Sequence, residues 1–250
     1  GKTKMGIVIH QITKGDFDVS SIVGETNNTL YTTRTDFNHA AEIYSVDINA
    51  GSMKQLTHVN DGMYNDLVMC SWQKKYVTTA DNHKIVVWVI MPPNFDATKK
   101  YPTLLYCQGG PQSPLTQFYS FRWNFQLIAS QGYIVVAPNR RGMPGYGVEW
   151  NTAISKDWGG QAIKDYLSAI DAVSKESYVD KNRLGAVGAS YGGYSVYMLA
   201  GVHENRFKTF IAHDGLFDLK SWFGTTEELW FATWDIGAYW DPANAHAYKH

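Results

Sequence analysis

The residues Gly188-Ala189-Ser190-Tyr191-Gly192 fit the pattern G-x-S-x-G. An apolar run, Leu184 to Gly188, precedes the serine, and a helix-like stretch, Tyr194 to Val202, follows it. That context is what a nucleophilic serine on a tight strand-to-helix turn requires. Glycines must flank the serine, because a Cβ there would crowd a turn with strained backbone angles. The hydroxyl of Ser190 would then project at the carboxyl edge of a sheet. The backbone N–H of Tyr191 would point at the same spot and could donate to an oxyanion. Gly193 would let the following helix pack closely. The chemistry is acyl transfer through a covalent intermediate. The plainer reading, a glycine-rich turn with an incidental serine, is disfavoured by the strand before it and the helix after it.

A second glycine-rich segment, Gln108-Gly109-Gly110-Pro111, follows an earlier apolar strand. Hydrolases with a serine elbow take another oxyanion donor from such a loop. Gly-Gly-Pro is also a common strand-ending turn, so its role depends on the downstream serine. Arg140 to Gly147 forms a further glycine-rich loop, which could shape a site or merely connect elements. Asp157-Trp158-Gly159-Gly160 reads as a helix start, with Asp157 near the N-cap.

The elements that must position these residues come in two rhythms. Leu30 to Thr33 is β-rich. Glu42 to Ile48 alternates polar and apolar residues, and Met53 to Thr57 returns after a turn at Asn49 to Ser52, which is a hairpin. A hairpin alone is marginal in water; short strands joined this way suit a propeller blade, or a small meander. From about residue 76 the pattern changes. Near-continuous apolar strands at Lys84 to Met91, Thr103 to Cys107, Tyr133 to Ala137, Leu184 to Gly188 and Thr209 to Ala212 alternate with helical stretches at Phe121 to Gln131, Trp158 to Ser174 and Tyr194 to Val202. This predicts an α/β fold: a mostly parallel sheet covered by helices on both faces. The expected division is residues 1–75, terminal β-propeller strands, and residues 76–250, an α/β-hydrolase domain.

Composition excludes several classes. The 250 residues carry 22 Lys+Arg against 23 Asp+Glu, so there is no electrostatic footprint for nucleic acid. A hydrophobic content of 44% with 18% charged residues is globular rather than disordered. No apolar run reaches the ~20 residues that span a membrane. The two cysteines, Cys70 and Cys107, make neither a disulfide framework nor a zinc pattern. Asn27-Asn28-Thr29 is a glycosylation sequon of a kind frequent by chance.

Taken in order and spacing, Gln108-Gly109-Gly110-Pro111, Arg141-Gly142 with Gly145-Tyr146-Gly147, Asp157-Trp158-Gly159-Gly160 and Gly188 to Tyr194 resemble the prolyl oligopeptidase family of serine peptidases, its dipeptidyl-peptidase branches in particular. The resemblance covers roughly residues 80 to 245. It implies a β-propeller before an α/β-hydrolase domain, and hydrolysis of peptide bonds through an acyl-enzyme, releasing N-terminal dipeptides. No metal or organic cofactor is implied. Ser190 would be the nucleophile, and Tyr191 N–H one oxyanion donor. Gln108 falls where relatives carry a tyrosine whose hydroxyl is the other donor, a departure from the pattern. Tyr191, Leu216 and Trp222 map onto the pocket for a small apolar substrate residue. A peptide is the implied partner, with a homodimer left open, and the implied compartment is periplasmic or secreted.

The triad acid and base should follow the serine in chain order, and the family places them further on than residue 250. The chain is therefore expected to be part of a longer or nicked enzyme, incomplete at its C-terminus. His203, His213, His246 and His250 follow Ser190; none is nominated as the base. Asp214 is expected to be a hydrogen-bonded loop residue rather than the triad acid. Two alternatives stand beside the peptidase: a carboxylesterase-type hydrolase, and a catalytically incomplete hydrolase-fold binding module.

Overall fold

The computed structural model describes residues 2–3 and 6–249. It divides into two compact units, residues 1–69 with 116–125, and residues 70–115 with 126–250.

In the first unit, β1 (Lys2–Thr3) and β2 (Gly6–Ile7) form a short ladder. The strands β3 (Asp18–Thr26), β4 (Thr29–Asp36), β5 (His39–Asp47) and β6 (Met53–Gln55) then pair antiparallel in sequential order. A four-stranded meander is the arrangement of one propeller blade. β3 is absent from the sequence reading because it is mostly exposed and shows no buried alternation. Asn27 and Asn28, with φ 47° and 63°, make the tight turn joining β3 to β4. A one-turn helix, α1 (Asp61–Tyr64), follows. The loop entering it is held by buried Glu42, whose carboxylate accepts from the backbone N–H groups of Val59 (2.9 Å) and Asn60 (3.2 Å).

The second unit is built on a six-stranded sheet in the order β12-β11-β9-β10-β8-β7. Its strands are β7 (Ser71–Thr78), β8 (Lys84–Met91), β9 (Tyr101–Cys107), β10 (Ile134–Pro138), β11 (Val179–Ala189) and β12 (Thr209–His213). β12, β11, β9 and β10 pair in parallel, whereas β10–β8 and β8–β7 are antiparallel. The expected division at residue 75 falls inside β7, which pairs with β8 from Ser71 to Thr78; the units part at Met69–Cys70. β8 and β10 are buried at successive residues, so both faces of the sheet centre are covered.

Among the helices, α2 spans Phe125–Ser130, α3 Val148–Thr152 and α4 Gln161–Val173. They are followed by α5 (Tyr191–Val202), α6 (Leu219–Thr225), α7 (Leu229–Asp235) and a 3-10 turn at Pro242–Tyr248. α2 begins later than its apolar pattern suggests. The Ser120 hydroxyl accepts from the N–H groups of Arg122 (3.2 Å) and Trp123 (2.9 Å), a local turn that competes with helix. Gly132 ends it with φ 90°, the left-handed residue expected there. α4 starts three residues later than the Trp158 reading. Gly160 takes the N-cap place, and the Asp157 carboxylate reaches forward to the Gln161 N–H at 3.1 Å. Ile163, Tyr166, Ile170 and Val173 of α4 join Val196 and Leu199 of α5 in one core with Val87, Val89, Leu105 and Val136. That core fixes α5, and hence the residue at its start, on the end of the sheet.

Candidate active site

β11 delivers the chain to Ser190, whose φ of 58° and ψ of −123° are rarely adopted by a residue with a side chain. Such a conformation costs roughly 1–3 kcal/mol and persists only where its surroundings over-determine it. Here the Ser190 N–H donates to the His213 carbonyl and to Asp214 Oδ1, each at 3.1 Å, and the Ser190 carbonyl accepts from Tyr194 N–H at 3.0 Å. Backbone packs on backbone around the turn. A Cβ on Gly192 would lie 2.0 Å from the Cys107 carbonyl oxygen, and one on Gly193 would lie 2.6 Å from Gly215 Cα. The elbow holds Ser190 exposed at the carboxyl edge of the sheet, and among the described residues nothing is hydrogen-bonded to its Oγ.

Tyr191 is the first residue of α5, so its N–H has no carbonyl one turn back to bond. This N–H and the positive end of the helix face the position where charge would develop on a carbonyl attacked by Ser190. The Tyr191 side chain is fully buried, and its hydroxyl donates to the Trp158 carbonyl at 2.8 Å. Burial pushes the phenol up to about 12, so it is a neutral donor.

The Gln108 to Ser113 loop lies against the elbow. A Cβ on Gly109 would come 3.0 Å from the Ala189 carbonyl oxygen and 3.6 Å from Ser190 Cβ. Gln108 Nε2 donates to Ser113 Oγ at 3.1 Å, within its own loop. Gly109 is therefore the loop residue whose backbone abuts the serine.

Of the three residues mapped to a substrate pocket, Tyr191 and Trp222 both pack against Trp158, with ring centroids 5.1 and 5.5 Å from it. Leu216 packs at the margin of the same cluster and opens onto a cavity of about 470 Å³ lined also by Tyr194, Met198 and Phe217.

Three charged residues to which the sequence gave no individual role surround this centre: Arg140 and Arg141, which open the glycine-rich loop noted above, and Asp235. Arg140 is fully buried without a carboxylate partner among the described residues. Its Nε donates to Tyr166 Oη (3.1 Å), Nη1 to the Arg141 carbonyl (2.9 Å) and Nη2 to the Gln108 carbonyl (3.2 Å), and its guanidinium stacks 4.6 Å from the Tyr191 ring centroid. Burial by itself would push the guanidinium down, but the Tyr166 hydroxyl that accepts from it and the ring faces of Tyr166 and Tyr191 around it hold it up, and it stays charged. Asp235, at the end of α7, is also fully buried. Its carboxylate accepts from Gln112 Nε2 (2.9 Å), Ser155 Oγ (2.8 Å) and Trp158 Nε1. Arg141 is scaffolding by contrast: it pairs with fully buried Asp165 (2.9 Å) and with Asp81 (2.8 Å). The only sequence signal at Arg140 is its place at the start of the glycine-rich loop that follows an apolar strand; Asp235 carries no local signal.

Two of the described histidines after Ser190 have side-chain partners of their own. His203 Nδ1 accepts from Phe207 N–H at 3.1 Å, and His213 Nε2 is 3.9 Å from Asp214 Oδ1. His250 lies outside the described residues. Asp214 binds the elbow backbone, the loop role expected of it.

A parallel sheet core, a serine on a strained strand-to-helix elbow and a free N–H at the start of the next helix define the α/β-hydrolase class. The family model described as the prolyl oligopeptidase family matches residues 119–250. The chain belongs to that family. It is 48% identical over 242 residues to dipeptidyl-peptidase 5 of Porphyromonas gingivalis, covering 96% of this chain and 35% of that protein. It is 31% identical to dipeptidyl-peptidase 5 of Schizosaccharomyces pombe, over 92% of this chain and 35% of the relative. Among solved structures, acylaminoacyl peptidase in complex with Z-Gly-Gly-Phe-chloromethyl ketone superposes with a TM-score of 0.83 at 25% identity, over 94% of this chain and 37% of that one. The chain thus spans about a third of the length of the curated relatives it matches.

Proposed function

We propose that the protein is a serine peptidase that releases dipeptides from the N-termini of oligopeptides, with Ser190 as its nucleophile. The observation that carries this reading is the exposed Ser190 on its elbow beside the unbonded Tyr191 N–H. Ser190 Oγ attacks the scissile carbonyl as its proton passes to a general base. The carbonyl oxygen becomes an oxyanion, which accepts from Tyr191 N–H and from a donor at the Gln108–Gly109 corner, either the Gln108 amide or the Gly109 N–H. Collapse expels the amine, which takes the proton, and leaves the acyl group on Ser190. Water then hydrolyses the ester by the same route. Buried Tyr191, with the partly buried Trp222 and Leu216, forms the apolar wall that receives the side chain next to the scissile bond.

The names of the relatives favour dipeptides as the released product, and the blade-like sheet of the first unit favours a peptidase over a carboxylesterase, which usually lacks such a sheet. The family resemblance supports a periplasmic or secreted location, which cell fractionation tests. A fluorophosphonate probe applied to the full-length protein tests the enzyme reading. Labelling at Ser190 that disappears in Ser190→Ala, together with dipeptide release from a model oligopeptide, is the expected result. An unlabelled, folded full-length protein would leave the binding-module alternative.

A further inference from the structure

The Gln108 to Ser113 loop is tied down at both ends by buried charges. At one end, the Gln108 carbonyl accepts from Arg140, and the same guanidinium stacks on the Tyr191 ring. At the other end, Gln112 donates to Asp235. The two ends are joined through the interior: Tyr191 Oη donates to the Trp158 carbonyl, and Trp158 Nε1 donates to Asp235. The circuit runs from the loop through Arg140, Tyr191, Trp158 and Asp235 back to the loop. Gly109, the loop residue that abuts Ser190, sits inside it.

Neither charge has an oppositely charged partner among the described residues, and both are fully buried. A buried charge without a counter-ion is a poor way to stabilise a fold, since apolar residues of similar volume commonly do as well or better. What these two charges share is a hold on the donors that surround the nucleophile. Oxyanion donors must stay within a few tenths of an ångström of their working positions, because a misplacement of ~1 Å costs on the order of 100-fold in rate.

We infer that Arg140 and Asp235 are positioning residues that clamp the two ends of the Gln108–Ser113 loop to Tyr191 and so set the oxyanion geometry around Ser190. The inference rests on the proposed role of Ser190 and goes beyond it. Arg140 fixes the Gln108 end, where the second donor arises, and Asp235 fixes the Gln112 end and the wall formed by Trp158.

The test uses the full-length enzyme, with kcat and KM measured separately and the rate of fluorophosphonate labelling followed alongside. Asp235→Asn and Arg140→Met should lower kcat by roughly 10- to 100-fold with KM little changed, and slow labelling in parallel. Gln112→Met, a change at a half-buried site that leaves both charges in place, should give about a 10-fold loss and guards against a failure of the buried variants to fold. Gln112→Lys, which restores a donor to Asp235, should recover most of that loss. Folded Gln112→Met and Asp235→Asn proteins that label and turn over at the wild-type rate would overturn the clamp and leave Ser190 as the nucleophile. A wild-type enzyme that does not label would overturn both.

Discussion

The side chain of Asp214 and the backbone of Ser190 are directly joined: Asp214 Oδ1 accepts the Ser190 N–H at 3.1 Å. Asp214 itself has φ 38°, a left-handed conformation that Asn and Asp tolerate better than most residues. The carboxylate is thus a brace for the elbow. Asp214→Asn keeps the acceptor and the backbone preference, and should retain most of the turnover. Asp214→Val should destabilise the protein by about 1–3 kcal/mol through the lost hydrogen bond and the strained backbone, read by chemical unfolding. A triad acid would behave otherwise, with Asn at that position lowering kcat by ~10⁴.

The glycines of the elbow are a packing requirement. A methyl group on Gly192 would meet the Cys107 carbonyl at 2.0 Å, and the obstacle is backbone that cannot rotate away. Gly192→Ala should therefore destabilise by upward of about 3 kcal/mol. Gly201, on the exposed end of the same helix with nothing near its Cβ position, provides the contrast. Gly201→Ala should be neutral or stabilise by several tenths of a kcal/mol, and thermal melts of the two variants check both.

The Asp81–Arg141–Asp165 cluster gives a pH signature. The hydrogen-bonded guanidinium of Arg141 holds the Asp81 carboxyl well below the usual carboxylate range. A carboxyl whose folded value lies below its unfolded value of about 4 contributes stability that is fully present above pH ~4 and fades as the pH falls further. Asp81→Asn should flatten the acid limb of the stability profile below pH ~4. Arg141→Met is more severe. It leaves Asp165 fully buried without its cation, and should cost about 3–5 kcal/mol at neutral pH by denaturant titration.

Neither cysteine is poised to react. Burial pushes the Cys70 thiol up to about 11, and the Cys107 thiol, deeper still, is pushed further in the same direction. A thiol reagent at pH 8 should leave both unmodified in the native protein and modify both in denaturant. Fast native labelling at Cys107 would show that the sheet beneath the elbow opens.

The amino-acid sequence by itself determined the elbow, since the apolar strand, Gly188, Ser190, Gly192 and the following helix are contiguous and each obeys a local steric rule. It likewise determined the strands from Lys84 onward, whose continuous apolar runs announce burial on both faces. It did not reveal β3, whose exposed residues carry no alternation, nor the pairing that draws Ser71 to Thr78 into the second sheet. Asn and Asp at turns, and Gly132 after α2, were readable because φ preference is local. The clamp was not. Arg140 and Asp235 are far apart in the chain, and a charged residue in a sequence gives no sign that it will be buried. Only the tertiary packing that sets Tyr191, at the start of α5, and Trp158 between them decided which loop those charges would hold.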